Sequence, residues 1–185
     1  MRWLDRKIRD ARFAKARPFV EVGDDVLDVG CSDGEMFRQW DDLIGRGIGV
    51  DPDLTTATTL GRHELRPGSF PDGLDDGLDD VECDVVTMLA VLEHVPPDSY
   101  DALADACARV LRPGGRVIVT VPSPLVDRIL DVLIALRLVD GMHAEEHHGF
   151  VPSDTTEIFG GDRFELVRHR TFQLRLNNLY VFGRR

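Results

Sequence analysis

The sequence predicts an α/β protein with a doubly wound, mostly parallel sheet of seven strands and an antiparallel hairpin near its carboxyl terminus. Short apolar runs typical of buried strands alternate with helical stretches, a rhythm that indicates a parallel sheet covered on both faces. A glycine-rich turn follows the first of these runs directly. The last two runs are joined by so few residues that they must be antiparallel neighbours.

Each element has its own signal in the order of the chain. Residues 1–18 are predicted to form an amphipathic helix that caps the fold, because Leu4, Ile8 and Ala11 recur at helical spacing. Further helices are predicted at 35–43, 55–62 and 100–111, the last with Asp98 or Ser99 as its N-cap. The predicted strands are 25–29, 47–50, 64–66, 84–89, 116–121, 164–174 and 179–182, with turns at 112–115 and 177–178.

Composition narrows the class of protein. A length of 185 residues fits a single domain over 1–185, and a net charge of −11 argues against binding to nucleic acid. The three cysteines lack the spacing of a disulfide framework or a zinc site, which favours reduced thiols and a cytoplasmic protein. We expect no signal peptide and no transmembrane segment, since no apolar run approaches the roughly 20 residues that span a bilayer.

The candidate binding site lies after the first two predicted strands. The first ends in the turn Gly30-Cys31-Ser32-Asp33-Gly34, and the second ends at Asp51. Ligands of open parallel sheets bind at the carboxyl ends of the strands, and an acidic side chain there can accept hydrogen bonds from both hydroxyls of a ribose. Neither the dinucleotide fingerprint nor the phosphate-binding loop is present, so the pattern indicates a nucleoside site without a pyrophosphate cradle.

Four segments in order resemble the class I S-adenosylmethionine-dependent methyltransferases. Residues 26–34 resemble the first motif of that family, with Ser32 in place of the usual middle glycine, and 47–51 resemble the second motif. Residues 83–95 are similar to the fourth strand and its loop, and 111–115 to the turn before the fifth strand. The resemblance implies a Rossmann-like methyltransferase fold and S-adenosyl-L-methionine as the cofactor.

The resemblance also implies roles for individual residues. Asp51 would hold the ribose, with Pro52 beside it, and Ser69 and Phe70 would lie beside the adenine, although many relatives carry an acid where Ser69 stands. Met88 and Leu89 would line the methionine end, with a plain core role as the alternative for Met88. The residues that would form the pocket for the methionine part are Asp28, Gly30, Cys31, Ser32 and Gly34.

The expected reaction is methyl transfer to oxygen of a small-molecule, lipid or glycan-precursor acceptor. Histidine suits a general base, and the candidates are His94, His147 and His148. The last two fall within 122–160, the variable substrate-facing region that the resemblance implies. The apolar stretch 124–139 fits either a lid over the acceptor or the seam of a homodimer, and no metal is expected.

Two alternatives remain. The turn also fits G-x-S-x-G, the nucleophile elbow of serine hydrolases, with Ser32 as the nucleophile. That fold needs strands before its elbow, whereas the residues before this turn look helical. A relative that binds the cofactor without catalysis is the other alternative, since an intact turn does not establish turnover.

Overall fold

The computed structural model describes residues 3–71, 81–123 and 150–185. The predicted loop at 72–84 therefore lies largely outside the described residues. The apolar stretch 124–139, its proposed dimer seam, and His147 and His148 lie outside them altogether.

The described chain forms four α-helices and an eight-stranded sheet. The helices are α1 (Trp3–Ala16), α2 (Glu35–Trp40), α3 (Tyr100–Val110) and α4 (Asp154–Ile158), with short 3-10 helices at Arg17–Phe19, Leu92–His94 and Pro97–Ser99. The strands are β1 (Val26–Val29), β2 (Gly47–Asp51), β3 (Thr58–Leu60), β4 (His63–Pro67), β5 (Cys83–Leu89), β6 (Leu111–Pro122), β7 (Phe164–Phe172) and β8 (Asn177–Arg184).

The sheet confirms the doubly wound, mostly parallel architecture. Its spatial order is β3-β4-β2-β1-β5-β6-β8-β7, and the five strands from β4 to β6 run parallel. The chain moves outward from β1 to β2 and β4, then returns to the other side of β1 with β5. This reversal opens a crevice at the carboxyl ends of β1 and β5, which is where such sheets bind ligands.

The helix predicted at 55–62 is wrong, and the error changes the strand count from seven to eight. The segment instead forms β3, which pairs antiparallel with β4 through a two-residue turn at Gly61 and Arg62. Gly61 has φ +62°, the left-handed value that tight hairpin turns require, and the threonines before it are β-branched. Strand propensity and this turn therefore outweigh the expected alternation of strand and helix.

Two predicted turns are also misplaced. The hairpin turn lies at 173–176, where Gln173, Leu174 and Arg175 all have positive φ, rather than at 177–178. Asn177 and Asn178 are buried residues of β8, because their amides make hydrogen bonds inside the structure. The predicted turn at 112–115 is an irregularity within β6, where the pairing with β5 shifts between Cys83 and Val85.

Two apolar clusters fill the faces of the sheet. One lies between the sheet and α3 and includes Leu27, Val86, Leu103 and Phe159. The other contains residues of α1 and α2, where Phe13 meets Trp40 edge to face at a centroid distance of 6.1 Å. Alternation along the strands produces both clusters, because successive side chains point to opposite faces.

The remaining predictions on the fold are mixed in outcome. The N-terminal amphipathic helix is confirmed as α1, and α2 is shorter than the predicted 35–43. Ser99 occupies the N-cap position of α3, but its side chain makes no capping hydrogen bond. Cys31, Cys83 and Cys107 are buried free thiols. Within the described residues no helix has the length and apolarity needed to cross a membrane. The single domain over 1–185 stays a prediction.

Candidate cofactor-binding and active site

The turn after β1 is fixed by backbone hydrogen bonds and left-handed residues. The N–H groups of Gly30 and Cys31 donate to the carbonyl of Val50 in β2, at 2.8 and 3.3 Å. Gly30, Ser32 and Gly34 have φ values of +76°, +49° and +74°. A left-handed conformation costs a residue with a side chain about 1–2 kcal/mol, so Ser32 carries a strain that glycine would avoid.

Two glycines of this turn also have no room for a side chain. A Cβ atom added to Gly30 would lie 2.3 Å from Cγ2 of Val91, and one added to Gly34 would lie 2.6 Å from Cδ1 of Leu60. Both distances are shorter than Cβ atoms tolerate. The glycines therefore allow the turn to pack directly against the segment after β5 and against β3.

Asp51 ties this turn to the end of β2. It is buried, and its carboxylate accepts two backbone hydrogen bonds: Oδ2 from the N–H of Ser32 at 2.7 Å, and Oδ1 from the N–H of Asp53 at 2.9 Å. A carboxylate offers about four acceptor sites. The orientation of Asp51 is thus set by the backbone, while acceptor capacity remains for two hydroxyls of a ligand.

The other residues expected near the nucleoside lie at the same edge of the sheet. The N–H of Gly68 donates to the carbonyl of Asp51 at 3.1 Å, which brings the end of β4 to the end of β2. Pro52 and Ser69 are exposed there, whereas Phe70 is buried. The structure therefore places Asp51, Pro52, Ser69 and Phe70 together, as the sequence predicts.

Asp28 is a buried carboxyl close to Asp51. The hydroxyl of Thr87 in β5 donates to Oδ1 of Asp28 at 2.6 Å. Burial raises the pKa of Asp28 to about 7, the hydrogen bond from Thr87 lowers it, and the negative charge of Asp51 raises it further. A ligand cation near this pair would favour the ionised form of Asp28. Sequence reasoning missed Thr87, whose only signal is its position opposite Asp28 in the β1–β5 register.

The apolar candidates have different environments. Met88 is fully buried in the cluster beneath α3, which fits the core role left open from sequence, while Leu89 is only half-buried. Cys31 is buried against Gly49, and burial together with the charges of Asp28 and Asp51 raises the pKa of its thiol. Cys31 is therefore a neutral packing residue of the turn.

His94 is the one candidate base within the described part of the chain. It is exposed and ends the 3-10 helix that follows β5, where its N–H donates to the carbonyl of Val91 at 2.9 Å. His94 thus lies at the ligand-bearing edge, close in the chain to the residue that packs on Gly30. Among the described residues no group of three histidine, cysteine or acidic side chains is arranged to hold a metal ion.

Helix α1 also reaches this edge, which the sequence did not predict. Nε of Arg12 donates to Oδ1 of Asn177 at 3.4 Å, and the charge of Glu93 acts on the Arg12 guanidinium. Asn177 begins β8 opposite Pro122 at the end of β6. From the sequence, Arg12 is one of several basic residues around an amphipathic helix, and nothing in the pattern distinguishes it.

The fold and the site together define a Rossmann-like domain with a nucleoside-binding turn. A family model described as "Methyltransferase domain" matches residues 2–157. The chain therefore belongs to the class I S-adenosylmethionine-dependent methyltransferase family. In this family the turn after β1 is the first motif, so the reading of Ser32 as a hydrolase nucleophile loses its basis; β1 is, moreover, the first strand of the described chain.

Relatives place the chain within that family. It is 34% identical over 105 residues to a ubiquinone biosynthesis O-methyltransferase of Klebsiella pneumoniae subsp. pneumoniae, covering 51% of this chain and 41% of the relative. The protein of the same name from Nitrosococcus oceani is 30% identical over 142 residues, covering 70% and 58%. The chain thus spans about two fifths to three fifths of the length of these relatives.

A solved structure shows the same fold at low identity. The 1,6-didemethyltoxoflavin-N1-methyltransferase of Burkholderia thailandensis, solved with its acceptor and S-adenosylhomocysteine bound, superimposes with a TM-score of 0.66. The two chains are 17% identical, and the match covers 99% of this chain and 80% of the other.

Proposed function

We propose that the protein binds S-adenosylmethionine at the turns after β1 and β2 and transfers its methyl group to an oxygen of a small-molecule, lipid or glycan-precursor acceptor. The observation that carries this proposal is the buried carboxylate of Asp51, oriented by two backbone N–H groups at the end of β2. An oriented acidic acceptor beside a glycine turn suits a ribose.

The residues present fit this cofactor, which supplies a methyl group already activated on a sulfonium. Asp51 would accept from the ribose hydroxyls, and Phe70 would flank the base. Asp28 and the backbone of the turn from Gly30 to Gly34 would hold the methionine part, which carries positive charge that the two carboxyl groups attract. The contribution of the protein is then mainly alignment, which can supply roughly 7–11 kcal/mol in reactions between bound groups.

Oxygen as the acceptor atom is supported by the relatives. Two of those matched at 30–34% identity are named O-methyltransferases of ubiquinone biosynthesis. The solved N1-methyltransferase shares the fold with this chain, so the fold by itself does not choose between oxygen and nitrogen. The O-methyltransferases also have the higher sequence identity, and we therefore favour a hydroxyl.

A hydroxyl acceptor benefits from a general base, and we propose His94 for this role within the described residues. We expect His94→Gln to lower turnover about 10²- to 10⁴-fold with cofactor affinity nearly unchanged, because proton removal acts only on the chemical step. The measurement is single-turnover methyl transfer, with His169→Gln on β7 as the matched histidine control. Full activity of His94→Gln would assign proton removal to another group or to alignment alone.

The proposed function is tested with labelled S-adenosylmethionine. The protein is incubated with fractionated metabolite extracts, and methylated products are identified by mass. The proposal predicts a product whose new methyl group is attached to oxygen. Transfer to nitrogen or carbon would contradict the choice of oxygen, and tight cofactor binding without any product would favour the non-catalytic alternative. Absence of cofactor binding would contradict the whole proposal.

A further inference from the structure

Arg12 of α1 stands at the carboxyl edge of the sheet, on the side away from Asp51. It is half-buried, and its contact with Asn177 places it at the start of β8, beside the end of β6. The charge of Glu93, in the segment after β5, acts on the same guanidinium. The guanidinium therefore lies between α1, the start of β8 and the segment after β5.

Most of the hydrogen-bonding capacity of Arg12 is uncommitted within the described chain. A guanidinium has five N–H donors in a planar fork that matches a carboxylate. The described structure uses only Nε, in a long contact of 3.4 Å to Asn177. The amide of Asn177 is itself oriented, because its Nδ2 donates to Oε1 of Gln173 at 2.7 Å. The Nη1 and Nη2 groups of Arg12 have no acceptor among the described residues.

Other partly buried arginines of the described chain are arranged differently, since each has a carboxylate within 4 Å. Arg112 bridges Asp25 and Asp84 at 3.0 and 2.7 Å. Arg66 pairs with Glu64 and Arg116 with Glu21, at 2.7 and 3.0 Å. Arg12 has no such ion pair with a described residue, and Glu93 acts on it only at longer range.

A partly buried cation without an ion pair carries a desolvation cost that a ligand anion can offset. Burial lowers the pKa of Arg12, and the nearby charge of Glu93 raises it, but a guanidinium stays protonated at neutral pH. The position thus combines a persistent charge, a pre-oriented fork and exposure to the ligand-bearing edge.

We infer that Arg12 binds the carboxylate of a ligand that enters this edge of the sheet. The inference rests on the proposed function, which supplies two sources of a carboxylate: the methionine part of the cofactor and an acidic acceptor. The chemistry of recognition is the same in both cases, a bidentate pair between guanidinium and carboxylate.

The first arm of the test uses two nucleosides that differ in the amino-acid part. S-adenosylhomocysteine carries the carboxylate, and 5′-methylthioadenosine lacks it. If Arg12 holds the methionine carboxylate, Arg12→Gln should weaken S-adenosylhomocysteine binding roughly 10- to 100-fold in calorimetry and leave 5′-methylthioadenosine unchanged. Arg12→Lys should restore part of the loss, because it keeps the charge without the fork.

The second arm tests an acidic acceptor. The complex with S-adenosylhomocysteine is titrated with 3,4-dihydroxybenzoate and with 4-methylcatechol, which differ by the carboxylate. If the acceptor is the source, Arg12→Gln should weaken only the benzoate, while S-adenosylhomocysteine binds as before. Arg17→Met is the matched control, because it removes a charge from the end of the same helical segment, at a site paired with Asp42.

Thermal unfolding of each variant establishes that it is folded before its affinities are compared. Failure of the unmodified protein to bind either nucleoside would contradict the proposed function itself. Normal binding by the unmodified protein, with no selective loss in either arm for folded Arg12→Gln, would overturn only the inference about Arg12.

Discussion

The two halves of the site are built from different materials. The donor half, formed by the turns after β1 and β2, is held by backbone hydrogen bonds such as those from Gly30 to Val50 and from Ser32 to Asp51, at 2.8 and 2.7 Å. The acceptor half, formed by α1, the segment after β5 and the start of β8, relies on side chains, and its contact from Arg12 to Asn177 is 3.4 Å long.

This difference separates what is fixed from what can vary. Backbone geometry at the donor half constrains which residues are allowed, since glycine or a strained residue must occupy each left-handed position. Side chains at the acceptor half can be exchanged without altering the course of the chain. A common cofactor and varied acceptors fit this division, because loops and side chains on a rigid scaffold carry specificity.

The largest effect is expected from a side chain at Gly30. Gly30→Ala should lower the free energy of unfolding by roughly 2–5 kcal/mol, since the left-handed φ costs about 1–2 kcal/mol and the overlap with Val91 about 1–3 kcal/mol. Gly161→Ala is the matched control, because Gly161 has φ +78° but no atom within 4 Å of the added Cβ. Urea unfolding measures both.

The double variant Gly30→Ala/Val91→Ala sharpens this result. Removing the clashing methyl groups should recover the packing part of the loss and leave the conformational part. If Gly30→Ala proves no more destabilising than Gly161→Ala, the close approach between the turn and the segment after β5 is not a constraint on the donor half.

A somewhat smaller effect, dependent on pH, is expected at Asp28. Its pKa rises from 3.8 to about 7 on folding, so the folded state holds the proton more tightly. The free energy of unfolding should therefore fall as pH increases from about 4 to 7, by roughly 4 kcal/mol at most, and level off above 7. Asp28→Asn should abolish this decline in urea unfolding across that range.

Thr87→Val provides the control for this titration. Its hydroxyl donates to Asp28 and lowers the pKa of the carboxyl, so the valine variant should extend the decline to higher pH. An identical pH dependence in the unmodified protein and Asp28→Asn would show that Asp28 is ionised in the folded state at neutral pH.

The smallest effect is expected at Ser32. Ser32→Gly relieves a positive φ of +49° but adds freedom to the unfolded chain, so the free energy of unfolding should change by no more than about 1 kcal/mol. The N–H that donates to Asp51 is retained, so cofactor affinity should also be retained. Ser32→Val should be clearly worse than Ser32→Gly, because β-branched residues avoid this conformation. Equal stabilities would contradict the assigned backbone strain.

The sequence predicted the donor half well because its requirements are local. The turn from Gly30 to Gly34 and the acid at Asp51 are read directly from residue types and spacing, and the structure brings them together. The prediction failed at 55–62, where β-branched residues and the turn at Gly61 form a hairpin in place of a helix.

The acceptor half was less predictable because it depends on long-range packing. Arg12 and Asn177 are 165 residues apart, and neither carries a local signal for their contact. The turn placed at 177–178 illustrates the same limit: paired asparagines are typical of turns, yet here they are buried and bonded within β8. Thr87 likewise gains its role only from the register of β5 against β1.

The central claim, that Asp51 holds the ribose of the cofactor, is tested most directly by titrating S-adenosylhomocysteine into three proteins. Asp51→Ala removes a charged acceptor worth about 1.5–3 kcal/mol, so affinity should fall roughly 10- to 100-fold. Asp53→Ala, which removes an exposed carboxylate two residues away and keeps the backbone N–H to Asp51, should bind like the unmodified protein. Unchanged affinity in a folded Asp51→Ala variant would contradict the account.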